Sequence, residues 1–227
     1  SLTDATGWSA TPTISNSCGE YYQSTFNLNQ SLKNMPGGTY QFKGQAFQRP
    51  GTSADVYAAY LNGTDNVVAE LYAGTKSVKI MNVAAEAQTV KQHADDVAVG
   101  TNPTKYMPNT MASASQYFKK GFYDNGVFTE LTADGRTLKV GIRATTSANS
   151  YWCTFDNFRL YFYGSMTKDI IDGIDEAIVD KSNVHGLPLF PADVYTLSGV
   201  LVRKAAESLD NLAKGVYIVN GRKILVP

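Results

Sequence analysis

The sequence predicts an all-β fold, two antiparallel sheets packed as a jelly-roll β-sandwich, with one or two short helical insertions and a small C-terminal β-hairpin module. Three observations carry that expectation. Apolar residues recur at period 2 through much of residues 1–164, most clearly at 39–47, where Tyr40, Phe42, Gly44 and Ala46 alternate with Gln41, Lys43 and Gln45. Turn residues punctuate these runs at Met35-Pro36-Gly37-Gly38, Arg49-Pro50-Gly51 and Asp134-Gly135. Fourteen Tyr, ten Phe and nineteen Gly suit half-buried strands joined by tight turns. About eight strands by Gly164, with no helices alternating between them, favour a sandwich over a parallel α/β sheet.

Taken in order, residues 1–19 are polar, with Trp8 isolated among Ser and Thr. A first strand is expected at 24–32, where Phe26, Leu28 and Leu32 share a face, and a second at 39–47. Residues 55–61 and 67–73 read as a hairpin joined through Asn62-Gly63-Thr64-Asp65-Asn66, and 77–81 as a shorter strand. Between 83 and 99, Ala84, Ala87, Val90 and Ala94 recur at helical spacing, and 100–108 reads as a loop. Asn109 or Thr110 can cap a helix running to about Lys120, with Gly121 ending it. Residues 127–131 and 138–144 read as a hairpin through Asp134-Gly135.

The longest aromatic and apolar run follows, Tyr151 to Tyr163. Trp152, Phe158, Leu160 and Phe162 share one parity and predict the core face. Arg159, Tyr161 and Tyr163 share the other. Asp156-Asn157 sits inside this run, where neither residue favours a sheet, and points to a bulge, a metal site or a hydrogen-bond anchor.

After Gly164 the character changes. Residues 165–191 read as a linker, partly helical or extended. Residues 192–227 repeat strand, two-residue turn, strand, at Ser198-Gly199 and again at Asn220-Gly221. So short a module predicts packing on the first domain or membership of a larger terminal module.

Composition narrows the function. Lys plus Arg equals Asp plus Glu at 20 each among 227 residues, which argues against nucleic-acid or anionic-membrane partners. No apolar run reaches the ~20 residues of a membrane span. Ser1 at the start suggests a processed or trimmed chain. Cys18 and Cys153 leave two readings open, one bridge in an oxidising compartment or two buried thiols.

Nucleophile elbows, phosphate loops, dinucleotide fingerprints and His-Glu-x-x-His are all missing from the sequence. His93 and His185 read as surface residues, as do the acid pairs Asp95-Asp96 and Asp172 with Asp175. Sugar binding needs less machinery, because apolar C–H faces stack on aromatic rings while amides, carboxylates and Arg bond the hydroxyls. The candidates at loops and strand ends are Trp8, Tyr21, Tyr22, Arg49, Tyr106, Tyr123, Tyr151 and Trp152. Asp156 has two readings. It could bind a structural calcium with Asp4 or Glu20 supplying further oxygen, or it could anchor backbone at a bulge.

Several segments together resemble a domain of secreted and surface proteins of the Bacteroides group. They run from Gly7-Trp8 through Phe26-Asn27-Leu28, Met35-Pro36-Gly37-Gly38-Thr39-Tyr40 and Gln45-Ala46-Phe47-Gln48-Arg49-Pro50-Gly51. Met107-Pro108-Asn109-Thr110-Met111, Leu138-Lys139-Val140-Gly141-Ile142 and Phe155-Asp156-Asn157-Phe158-Arg159-Leu160 continue the order. That order is similar to galactose-binding-like jelly rolls, which include many carbohydrate-binding modules. The tail from Val194 to Gly221 is similar to C-terminal sorting-type domains. The resemblance implies an extracytoplasmic accessory protein that captures polysaccharide, with Asp156 as a calcium ligand and Trp152 as an edge aromatic. The segment from Val83 to Tyr123 has no counterpart in small binding modules, and is expected to reshape or cover the usual site. Three functions follow in order: non-catalytic glycan binding, a structural or protein-interaction module of the cell surface, and a glycoside hydrolase.

Overall fold

A computed structural model describes residues 2–169, 171, 191–197, 199–219 and 222–226, and the chain divides into two compact units, Ser1–Gly164 and Ser165–Pro227. The first unit is the expected all-β sandwich. One sheet holds β1 (Thr13–Ser15), β2 (Cys18–Tyr22), β4 (Gly38–Pro50), β9 (Asp124–Leu131) and β11 (Tyr151–Phe162), in the order β1-β2-β11-β4-β9. The other holds β3 (Phe26–Met35), β5 (Glu70–Ala73), β6 (Lys76–Lys79) and β10 (Arg136–Ala144), in the order β3-β10-β5-β6. All these pairings are antiparallel.

Period-2 alternation builds the space between the sheets. Tyr40, Phe42 and Ala46 of β4 meet Leu28 of β3, Leu71 of β5 and Leu138, Val140 and Ile142 of β10. Gln48 joins the two sheets across this core. Its Nε2 donates to the carbonyls of Ala69 (3.2 Å) and Ile80 (2.7 Å), and its Oε1 accepts from the N–H groups of Val68 and Ala69, each at 2.8 Å. A buried amide so fully bonded avoids the desolvation penalty of an unpaired polar group and holds the β5–β6 hairpin in register.

The remaining elements cover the outer face of the five-stranded sheet. They are α1 (Ser53–Leu61), a 3₁₀ turn (Val83–Glu86), a small ladder of β7 (Val97–Val99) and β8 (Lys105–Met107), and α2 (Met111–Lys119). Phe47, Tyr117, Phe118, Tyr123 and Trp152 pack there as a second core. Most of the Val83–Tyr123 segment is part of this cover. Thr110 caps α2 through a 3.2 Å bond from the Ser113 N–H. Gly121, at φ +86°, ends it with paired bonds, Gly121 N–H to Phe118 O (3.0 Å) and Phe122 N–H to Tyr117 O (3.1 Å). That pairing is a Schellman motif.

Several expected elements differ. Residues 55–61 form α1, not a strand, because Thr52 caps a helix there and only Val56 is buried, so the alternating apolar residues face no sheet. The hairpin lies one step later, between β5 and β6. The helical spacing at 83–99 yields a single 3₁₀ turn, and the loop at 100–108 contains β8. β9 and β10 are not a hairpin but lie in opposite sheets. Their connection spends its hydrogen bonds on the neighbouring crossing, with Gly37 N–H donating to Asp134 Oδ1 (2.7 Å) and Gly135 N–H to Met35 O (3.0 Å).

β11 also departs from a single parity. Its pairing with β4 gains one residue between Asp156 and Arg159, and Asn157 sits at φ +51°. Before this bulge, Tyr151, Cys153 and Phe155 face the inner core and Trp152 the outer one. After it, Phe158 and Leu160 turn inward, while Phe162 is half exposed. Trp152 and Phe158 therefore lie on opposite faces.

In the second unit, β12 (Ala192–Thr196), β13 (Leu201–Ala206), β14 (Gly215–Val219) and β15 (Arg222–Val226) form one sheet in the order β13-β12-β14-β15. The two expected hairpins are present and pair through β12 and β14. Ala192, Val194, Ala206, Tyr217 and Val219 give this sheet a small core of its own. Most of the linker expected at 165–191 lies outside the described residues.

Gly141 is the tightest point of the sandwich, since a Cβ there would lie 2.4 Å from the Leu28 carbonyl oxygen. Gly141→Ala is expected to lower unfolding free energy by about 1–3 kcal/mol, read as a lower midpoint in urea.

Candidate functional site

One cleft of about 620 Å³ opens at the edge of the first unit, between the two sheets. The sheet pairings explain why it is there. β2 pairs with β11 only over Trp152–Phe155, so beyond Asp156 the strand has β4 alone beside it. Facing it is β3, the edge strand of the other sheet. Leu2, Trp8, Gln30, Leu32, Phe158 and Leu160 line the space between, with Asn157 and Arg159 at the rim.

The N-terminal segment carries Trp8 into this cleft. Leu2 N–H donates to Asp156 Oδ1 (2.6 Å) and to Ser17 O (3.1 Å). Asp4 Oδ1 accepts from Thr6 N–H (2.8 Å), and a turn follows with Trp8 N–H on Ala5 O (3.0 Å) and Gly7 at φ +83°. Ser9 then docks on the β3 edge, N–H to Asn29 O (2.8 Å) and Oγ to Asn27 O (3.2 Å). These anchors leave the half-buried Trp8 ring 4.9 Å from Phe158, tilted by 43°. The Gln30 amide makes no hydrogen bond to any described residue. Asn157, also in the lining, donates its amide N–H to Gln45 Oε1.

The other expected ligand residues are placed differently. Tyr151 is 1% exposed in the inner core and Trp152 is 3% exposed in the outer one, so neither offers a face to a sugar. Tyr21 stacks on Phe26 at 4.3 Å and Tyr123 is buried, its hydroxyl donating to Val83 O (2.7 Å). Tyr106 is half-buried, with the Lys91 ammonium 5.8 Å from its ring. Tyr22 is half exposed and Arg49 lies over the Trp152 ring. The sequence places Phe158 and Leu32 on core faces and gives neither them nor Gln30 a site role. The bulge that turns Phe158 toward Trp8 was the available signal.

The three carboxylates named for calcium serve separate bonds. Asp4 holds its own turn, Glu20 Oε2 accepts from the Trp152 indole N–H (2.5 Å), and Asp156 Oδ1 accepts from Asn157 N–H (2.7 Å) as well as Leu2. Among the described residues no group of three or more His, Cys, Asp or Glu is placed to hold a metal ion. Asp156 acts as the anchor of the bulge. Asp96 is likewise structural, accepting from the N–H groups of Gln92 (2.6 Å) and His93 (3.0 Å) and from the Ser113 hydroxyl. Asp172, Asp175 and His185 lie outside the described residues.

Cys18 and Cys153 are both buried free thiols. Cys153 pairs with Tyr21 and faces the inner core, whereas Cys18 faces the outer one. Side chains on opposite faces of one sheet cannot bridge. Burial, helped by the Asp156 and Glu20 carboxylates, pushes the Cys18 thiol up to about 12. Unfolded, that thiol ionises near pH 9.0, so its contribution to stability is full below that pH and is lost as pH rises toward 12. Native protein at pH 8 is expected not to react with a thiol-specific dye, and the urea midpoint is expected to fall progressively above pH 9.0.

Set against protein-family models, curated proteins and solved structures, the chain matches none of them.

Proposed function

We propose that the first unit is a non-catalytic glycan-binding module of an exported protein, and that its sugar site is the cleft beside Trp8. The observation that carries this reading is the cleft's composition. An anchored tryptophan and Phe158 provide apolar faces for pyranose C–H groups, and the Gln30 amide, bonded to no described residue, stands ready for hydroxyls. About 620 Å³ lies within the range of small-ligand pockets. No Asp or Glu is among its lining residues, so the carboxylate pair of a glycosidase has no place in it. Binding by stacking and a few neutral hydrogen bonds gives affinities on the order of micromolar to millimolar. The enclosure of Trp152 favours a second reading at that position, a surface protein-interaction module.

Affinity electrophoresis against plant and host polysaccharides tests the proposal. Trp8→Ala is expected to weaken binding by roughly ten-fold or more, the loss of about one stacking contact and its buried area, with circular dichroism unchanged. Gln30→Ala, a milder change, is expected to weaken it less. A wild-type protein that is retarded by no polysaccharide, while a partner protein co-purifies with it, would replace this reading with the second one.

A further inference from the structure

We propose that a second site, on the outer face of the five-stranded sheet at Arg49, binds an acidic sugar, a pyranose carrying one carboxylate or sulfate. This extends the glycan-binding reading and rests on it. Register places Tyr22, Trp152 and Arg49 side by side on β2, β11 and β4, one row across the sheet. Trp152 forms a fixed floor, its indole N–H held by Glu20 and its ring edge-on to Phe47 at 5.1 Å. The Arg49 guanidinium lies 5.0 Å over that ring, and its Nη1 donates to Asn109 Oδ1 at 2.7 Å. Asn109 is braced in turn by the Ser53 hydroxyl at 3.5 Å.

What sets Arg49 apart is partial burial without a counter-charge among the described residues. Arg143 pairs with Glu70 (2.9 Å) and Arg159 with Asp124 (2.5 Å), but Arg49 has no carboxylate within ion-pair distance among the described residues. Its Nε is buried without a partner and its Nη2 donates to no described residue. A guanidinium has five donors in a rigid fork, and among the described residues one of them finds an acceptor. Partial burial of an uncompensated cation costs free energy, consistent with the lowered pKa of this group, and an oxyanion on Nη2 would offset that cost. Glu20 accepts the indole N–H and forms no ion pair with Arg49. Beside this donor set Tyr22 is 50% exposed, an aromatic face roughly 10 Å away across two strand spacings. A pyranose stacked on Tyr22 can direct its acidic substituent to Arg49. The site differs from the Trp8 cleft, because Trp152 and Phe158 face opposite sides of the sheet.

The test is calorimetric titration of the whole chain with two matched pairs of oligosaccharides, galacturonate oligomers with their methyl esters and sulfated galactan oligomers with their desulfated forms. The wild type is expected to bind the acidic member of at least one pair ten-fold or more tightly, with an advantage that shrinks as salt rises. The pair that shows it separates carboxylate from sulfate. Arg49→Gln is expected to abolish the preference, and Arg49→Lys to keep only part of it. Tyr22→Ala, at an exposed position, is expected to weaken acidic and neutral members alike, and serves if Arg49→Gln fails to fold. Equal affinity within both pairs, or a preference that survives in a folded Arg49→Gln, overturns the inference. If neutral glycans still bind and depend on Trp8, the glycan reading stands without it. If no oligosaccharide binds, both fall.

Discussion

The first unit depends on one backbone angle, the φ of +51° at Asn157. Asn is among the few residues that adopt this conformation at modest cost, about 1 kcal/mol, and three bonds hold it there. Asp156 Oδ1 accepts the Asn157 N–H, the Leu2 N–H closes on the same oxygen, and the Asn157 amide reaches Gln45. In a regular strand Phe155 and Phe158 would face opposite ways. The extra residue brings both into the inner core, their rings 5.6 Å apart. Gly44 makes room, since a Cβ there would stand 2.6 Å from Phe158 Cδ1. The same bulge leaves Trp152 on the outer face, under Arg49.

The bulge also ties the sandwich to its cover. Gln45, which receives the Asn157 amide, donates through Nε2 to the carbonyls of Phe118 (2.7 Å) and Phe122 (2.9 Å) at the end of α2. Those carbonyls belong to the Schellman turn, where helical partners run out. A sheet that is antiparallel yet buried on both faces is the result, and it explains why Tyr151 to Phe155 reads as a continuous apolar run rather than an alternating one. Burying the row at Trp152 closes that face to ligands except at its margin, where Tyr22 and Arg49 emerge.

Local signals were legible at several places where local chemistry decides the outcome. Thr110 and Gly121 bound α2 as their side-chain and backbone preferences require, and the alternation at 39–47 produced β4. Asp156-Asn157 marked a bulge because neither residue suits a pleated interior. Residues 55–61 misled because Val56, Ala58 and Tyr60 alternate by chance while Thr52, three residues before Asp55, carried the true signal of a cap. Asp134-Gly135 is an ordinary turn dipeptide. Whether it joins two paired strands or two sheets depends on which partners β9 and β10 find elsewhere, and nothing within the turn records that.

The sequence by itself determined the all-β class, the helix at 111–119, the two hairpins of the tail and the turn positions, since these follow from period, capping and φ preference over a few residues. Tertiary structure alone decided which aromatics are open. Trp8 and Trp152 look alike as loop-edge tryptophans, yet one lines a cleft and the other is sealed beneath Arg49. That difference arises from long-range contacts: α1 and the 83–123 segment folding over one face, and the N-terminal segment docking at Asp156 and the β3 edge. The run from Tyr151 to Tyr163 thus carries both outcomes on one strand, divided at a single residue whose turn reverses the faces.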